Sequence, residues 1–239
     1  MQHLLNNLCT PNATARRQVL QQHLSQVFPG RHRIESRSWG AGYEASETVN
    51  HLLIFGKEGG HLVVGAHYDA VPCSPGANDN AAAVVQLLAA AKRLQDQAEQ
   101  GGPEPDITFC LWDHEEHFGS RIMGSRTYLE ARPQALPAKA VVFDVSGIGE
   151  LYVSGKDYAG VAQGLPSRHT PPSDNRILLE AGIPATLICA LPPGELAQPF
   201  PSTWHTMHTP RDTPDKVEHR TLEAGAELIL DMVQGFRAA

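Results

Sequence analysis

The stretch Gly65-Ala-His-Tyr-Asp-Ala-Val-Pro-Cys-Ser-Pro-Gly-Ala-Asn-Asp-Asn80 constrains this chain more than any other. The apolar run leading into it, His61-Leu-Val-Val-Gly-Ala66, reads as a buried strand, and the alanine-rich run from Ala81 to Ala91 reads as a helix. A strand that ends in a polar turn and re-enters a helix is the unit of α/β sheets, which gather ligands outside the carboxyl ends of their strands. Between the two runs lie His67, Asp69 and Asp79 in a turn rich in Gly and Pro. An imidazole and carboxylates are hard or borderline donors, suited to Zn²⁺ or a similar divalent ion.

The remaining chain repeats this alternation. Thr10 or Asn12 can cap a first helix with Val19, Leu20, Leu24 and Val27 at helical spacing, ended by Pro29-Gly30. Arg33 to Trp39 and Thr48 to Phe55 read as strands, with Gly40-Ala-Gly42 and Lys57-Glu-Gly-Gly60 as turns. The helix after the central loop runs from about Asn80 to Gln97, and Gln100 to Pro105 is a short linker. Further strands are expected at Ile107–Trp112, Ala138–Phe143, Glu150–Ser154 and Ala185–Ala190, with helices at Ser125–Glu130 and from a Ser173 cap to Glu180. Asp157 to Pro172 shows no period. Leu191 to Thr213 reads as a long polar loop, a kind that is usually functional in compact domains. Thr213-Pro214 opens a final helical segment with Leu222, Ala226, Ile229, Leu230, Val233 and Phe236 on its face. This order predicts a three-layer α/β/α sandwich with a central mixed, mostly parallel sheet, and a single domain over residues 1–239.

Composition narrows the function. The net charge of −7, with Lys and Arg scattered, argues against nucleic acid or an anionic membrane as partner. No window approaches the ~18 apolar residues of a membrane span, and Met1 to Thr10 lacks the basic start and apolar core of a signal peptide. Cys9, Cys73, Cys110 and Cys189 are far apart, and the last two sit in apolar runs as buried thiols. The expected location is cytoplasmic. Oligomeric state is not readable from these residues.

Several strands deliver a polar group just past their carboxyl ends: His67 after the first, Glu115 and Glu116 after the second, Asp144 after the third. The long loop adds His205 and His208, and Asp79 stands at the start of a helix. Two Zn²⁺ carry four positive charges; Asp79, Glu116 and Asp144 balance three and a bridging hydroxide the fourth, with two neutral imidazoles completing the set. Glu115 is then left free to take a proton from the bridging water.

His67-x-Asp69, Pro75-Gly-Ala-Asn-Asp79-Asn80, Glu115-Glu116, Asp144 and His208-Thr-Pro-Arg-Asp212-Thr213 together resemble the co-catalytic zinc aminopeptidases of peptidase family M28. Ser173-Asp174 and Gly182-Ile-Pro184 add to the likeness, which runs from about residue 61 to 216. The resemblance implies that His67, Asp79 and Asp144 hold one zinc, and that Asp79 bridges to a second held by Glu116 and His208. It makes Glu115 the general base and Asp69 the carboxylate that orients His67. The implied activity is hydrolysis of N-terminal residues from peptides or amino-acid amides. Departures from the family pattern are the loop Glu115-Glu-His-Phe-Gly-Ser120 followed by a second Gly124-Ser125, Asn175 in place of a His, and Met207 in place of an aromatic residue.

Other readings compete. His114-Glu-Glu-His117 spaces its histidines at i, i+3, whereas the zinc-protease helix needs i, i+4, so His117 reads as a solvated loop residue. Trp204-His205-Thr206 also resembles the start of the last motif, and the Asp-Thr four residues on favours His208. Asp69 alone could be a turn former and Asp144 a helix cap. The same resemblance admits a glutaminyl cyclase working with one zinc, or a non-catalytic interaction domain.

Overall fold

The computed structural model describes residues 1–40, 46–117 and 120–237. Ala41 and Gly42 of the expected turn, and Phe118-Gly119 of the loop after the glutamates, lie outside the described residues. In chain order the strands are β1 (His32–Trp39), β2 (Ser46–Phe55), β3 (Leu62–His67), β4 (Ile107–Trp112), β5 (Lys139–Phe143), β6 (Glu150–Ser154), β7 (Ser167–Arg168) and β8 (Ala185–Leu191). The helices are α1 (Gln2–Leu8), α2 (Ala13–Val27), α3 (Ala82–Glu99), α4 (Gly124–Glu130), α5 (Asn175–Glu180) and α6 (His219–Arg237).

The strands form one mixed sheet in the order β1-β2-β4-β3-β5-β8-β6-β7. Its centre, β4-β3-β5-β8, is parallel throughout, and antiparallel pairs flank it at β1–β2, β2–β4 and β6–β8. The chain leaves β3 for β4 on one side and returns across it to β5 on the other, so β3 lies at the reversal where such sheets open a crevice.

Strand periodicity of two sorts the core into two layers. Ile107, Phe109 and Leu111 of β4, with Val141 and Phe143 of β5, join residues of α1, α2, α3 and α6. Cys110 and Trp112, with Ala140 and Val142, face the opposite way and pack with Tyr128 of α4 and Ile177 and Leu178 of α5. Each fully buried Leu, Ile or Phe contributes roughly 1.5–3 kcal/mol against leaving it exposed. The central strands cannot be loosened to admit bulk: a Cβ at Gly65 would lie 2.1 Å from the Trp112 ring.

Several expected boundaries move. Residues 2–8 form a helix that the apolar pattern did not suggest, because its face is short: Leu5 and Leu8 are buried, with Leu4 packed beside them. Asn12 is the cap of α2, accepting the Ala15 amide at 2.9 Å. Ser173 does not cap α5; Asp174 holds the cap position, and its carboxylate bonds Ser125 instead. Part of the unpatterned stretch from Asp157 to Pro172 adds the two-residue edge strand β7. Pro214–Lys216 is a separate 3₁₀ turn, so α6 begins at His219. Among the described residues no helix is long and apolar enough to cross a membrane.

Candidate metal centre and active site

The site sits where β3, β4 and β5 end side by side. His67 closes β3, paired in register with Trp112 of β4, and is buried. Its Nε2 lies 3.2 Å from Asp79 Oδ1 and 3.3 Å from Asp144 Oδ1, and 4.0 Å from Glu115 Oε2. Its other nitrogen, Nδ1, faces Asp69 Oδ1 at 3.3 Å. Asp69 also accepts the backbone amides of Glu115 and Glu116, each at 3.1 Å. One carboxylate therefore lies against the imidazole and fixes the turn bearing both glutamates.

Asp79 stands in a tight turn, Ala77–Ala81, ahead of α3, and its peptide bond to Asn80 is cis. Three polar side chains fasten this turn. Asp212 accepts the amides of Asn78 at 2.8 Å and Asp79 at 3.1 Å. Asn78 Oδ1 accepts the Gly147 amide at 2.8 Å, and Asn80 Nδ2 donates to the Phe143 carbonyl at 2.9 Å. The turn is thus tied to the end of β5, which carries Asp144. Val145, the next residue, adopts φ of +49°, an uncommon conformation for a β-branched side chain and one that here adjoins the site.

His208 completes the cluster from the long loop, with φ of +56° and its side chain 56% exposed. Its Nε2 lies 3.1 Å from both Asp79 Oδ2 and Glu116 Oε2. The two oxygens of Asp79 are therefore divided between His67 and His208. Glu116 Oε1 is buried without a hydrogen-bond partner, which is the condition of a donor awaiting a cation. His67, Asp79 and Glu116 offer ligand atoms within 4.8 Å of one another. The donors divide into two sets, His67 with Asp144 and His208 with Glu116, and Asp79 is common to both. Imidazole and carboxylate in this ratio fit Zn²⁺.

Crowded acids and bases shift one another. Burial opposes ionisation of Asp79, yet hydrogen bonds from His208 and His67 hold it well below the usual carboxylate range. Hydrogen bonds to Asp79 and Glu116 push His208 up to about 10. Glu115 moves the other way: burial, with the charges of Asp144, Asp174 and Asp69, pushes it up to about 9 against the pull of His67. Burial likewise raises Asp174 to about 7.

A cavity of about 370 Å³ opens beside the cluster, with Glu115, Glu116, Asp79, Asp144 and His208 at one end. Val145, Tyr152, Leu187, Cys189, Trp204 and Met207 line the rest, so the wall is largely apolar. Such a shape suits a small side chain or chain end held beside polar chemistry.

All seven residues singled out in the sequence, His67, Asp69, Asp79, Glu115, Glu116, Asp144 and His208, come together here. His205 does not; it is exposed, and its carbonyl accepts from Arg211 at 2.9 Å. His114 and His117 face Asp69 as a second group of possible donors, with His117 exposed. Both oxygens of Asp69 already serve the Glu115 and Glu116 amides, so that group is poorly fitted to an ion. Sequence reasoning did not give Asp212 or Asp174 a role. Asp212 lay within the last motif, where its spacing was the available signal.

This geometry agrees with the comparisons to known proteins. Residues 52–152 match the family model described as Peptidase family M28. The similarity to M28 spans 101 of the chain's 239 residues. The matched M28 segment contains His67, Asp69, Asp79, Glu115, Glu116 and Asp144. Aminopeptidase YwaD of Bacillus subtilis is 28% identical over 197 residues, covering 70% of this chain and 39% of the relative. The chain thus spans well under half of that aminopeptidase. Among solved structures, an Acidobacteriales bacterium glutaminyl cyclase superposes with a TM-score of 0.74 at 17% identity, covering 98% of this chain and 91% of the other. A Zn-dependent exopeptidase from Parabacteroides distasonis gives 0.73 at 16% identity, covering 97% and 96%. These likenesses establish the fold as that shared by zinc exopeptidases and glutaminyl cyclases.

Proposed function

We propose that this chain is a zinc-dependent aminopeptidase that removes N-terminal residues from peptides or amino-acid amides, with two zinc ions held per chain. The observation that carries the reading is the division of Asp79 between His67 and His208, with Asp144 and Glu116 on the two outer sides. In this reading His67, Asp79 and Asp144 hold one ion, and Asp79, Glu116 and His208 the other. Zinc bound there would polarise the scissile carbonyl and acidify the attacking water.

The chain's own residues do the rest. Glu115 ligates neither ion; it takes the proton of the attacking water and returns it to the leaving amine. Burial raises its proton affinity, and a cation held beside it would favour the ionised carboxylate and lower that affinity toward the range a base needs near pH 7. Asp69 holds the His67 ring and the glutamate turn in one register, so the base and the ligand do not drift apart. The carboxylate-rich end of the cavity attracts a free α-amino group, which accounts for action at chain ends, and the apolar wall receives the first side chain.

Residues 1–239 are read as a single domain, supported by one continuous sheet with a core on each face. A cytoplasmic setting is kept, supported by four free cysteines.

A second reading is favoured by Asp174, a buried carboxyl that holds its proton to about 7 and acts on Glu115. Two proton-holding carboxyls suit cyclisation of N-terminal glutamine, in which the α-amine loses a proton and departing ammonia gains one. A panel of aminoacyl arylamides beside a glutaminyl peptide, with free amine and ammonia assayed separately, tests the choice. Arylamine release is expected. Ammonia from the glutaminyl substrate with no arylamide cleaved would establish the cyclase instead.

A further inference from the structure

The loop from Tyr68 to Gly76 joins His67 to the turn bearing Asp79, and it contains no regular secondary structure that would hold it. The Glu115 and Glu116 amides grip it at Asp69 and the His208 carbonyl at Cys73, but one side chain from outside the sheet spans it from end to end. Arg16, on α2, is 1% exposed although its neighbours in sequence are a polar helix surface. Its Nε donates to the Thr10 carbonyl at 2.7 Å. Nη1 donates to the carbonyls of Tyr68 at 2.8 Å and Asp69 at 3.4 Å. Nη2 donates to the Pro75 carbonyl and to that of Gly76 at 3.0 Å. A guanidinium has five N–H donors in a rigid fork, and here each meets a backbone carbonyl. The loop has closed around the fork: a Cβ at Gly76 would lie 2.4 Å from Nη2, and Gly76 takes φ of +61°. The charge also lies near enough to Asp69, Asp79 and Asp212 to act on all three.

We propose that Arg16 is a positioning residue that sets the spacing between the His67 and Asp79 ligands by clamping both ends of the loop between them. The fork bridges carbonyls from the start of the loop, at Tyr68 and Asp69, to those at its end, at Pro75 and Gly76. Asp212 grips the next turn from the opposite end of the chain, so Asp79 is fixed from both sides. Lysine at position 16 would keep the charge but offer its donors from a single point, and it could not bridge the two ends. This inference rests on the metal reading above only in taking the loop as part of a zinc cradle.

The test compares Arg16→Lys and Arg16→Met with Leu24→Ala, a change on the same helix at a buried position that makes none of these hydrogen bonds. Zinc affinity is measured by competition with a chromophoric chelator well below the unfolding temperature, alongside kcat and KM. Both Arg16 variants are expected to bind zinc ~10–100-fold more weakly, the usual effect of losing a group that orients a ligand, and to lose kcat more than KM. Leu24→Ala should unfold at lower temperature yet bind zinc as the parent does. Parent-like zinc affinity in Arg16→Lys overturns the proposal, as does an equal loss of affinity in Leu24→Ala. Failure of both Arg16 variants to fold while Leu24→Ala folds also overturns it, since Arg16 would then be a structural residue. A parent chain that binds no zinc overturns the metal reading as well.

Discussion

Asp212 Oδ2 accepts the backbone amide of Asp79 at 3.1 Å, so the acid that ends one motif holds the metal-facing residue of another in place across more than half the chain. The second oxygen does the same for Asn78. Asp212→Asn would replace one acceptor oxygen by a donor facing an N–H. It should cost roughly 1–3 kcal/mol of stability, from a buried group left unpaired, and weaken zinc ~10–100-fold without touching a metal ligand. Urea unfolding of the metal-free protein and chelator competition measure the two effects separately.

Glu115 and Glu116 are neighbours with different surroundings, and their variants should separate. Glu115→Gln should keep the fold and both metals while kcat falls ~10²–10⁴-fold, because it removes the base and no ligand. Glu116→Gln should instead lower the zinc content, since its carboxylate meets His208 over the shared Asp79. Elemental analysis beside kinetics decides; equal zinc affinity in the two variants would contradict the division of roles.

Of the two loop histidines only His208 reaches the carboxylates. His208→Ala should reduce zinc from about two equivalents to about one, whereas His205→Ala should retain both. Loss of metal in His205→Ala alone would move the ligand.

The metal-free protein should lose stability as pH rises from near 6.5 toward 10. His208 is raised to about 10 by Asp79 and Glu116, so its contribution is complete below the unfolded value near 6.5 and vanishes as pH passes the folded one. Glu115, raised to about 9, acts in the same direction up to that pH, and Asp174, raised to about 7, does so mainly below this window, because burial lets the folded state keep protons that the unfolded chain has released. Asp79, lowered, acts at the acid end, and its contribution is lost as pH falls below the ordinary carboxylate range. Thermal unfolding of chelator-treated protein across this range reads the slope, and zinc should flatten it. A rising unfolding temperature between pH 7 and 9 without metal would show that these groups are not arranged as described.

The alternation of buried strands and helices, and the order of the polar groups at the strand ends, were legible in the sequence because each is a local pattern. A strand such as Ile107–Trp112 must be apolar on both sides when both faces are covered, and His67, Glu115, Glu116 and Asp144 follow directly on such runs. Spacing to Asp212-Thr213 was enough to prefer His208 over His205. Helix α1, the short strand β7 and the displaced cap of α5 were not legible, since each depends on what a few residues meet elsewhere in the fold.

The sequence by itself determined which side chains can hold a metal, because donor chemistry belongs to the residue and the turns that present it are local. Only the tertiary structure decided how they share it. Asp79 lies between two imidazoles because the loop carrying His208 folds over the end of β3, a relation between residues more than a hundred positions apart. Arg16 was invisible for the same reason. On a helix it reads as one more solvated charge, and its burial arises from five carbonyls that the chain brings to it from Thr10 and from the loop beyond β3. A guanidinium in low dielectric is tolerable only when its donors are satisfied, and that condition is met by the folded backbone, not by any neighbour in the sequence.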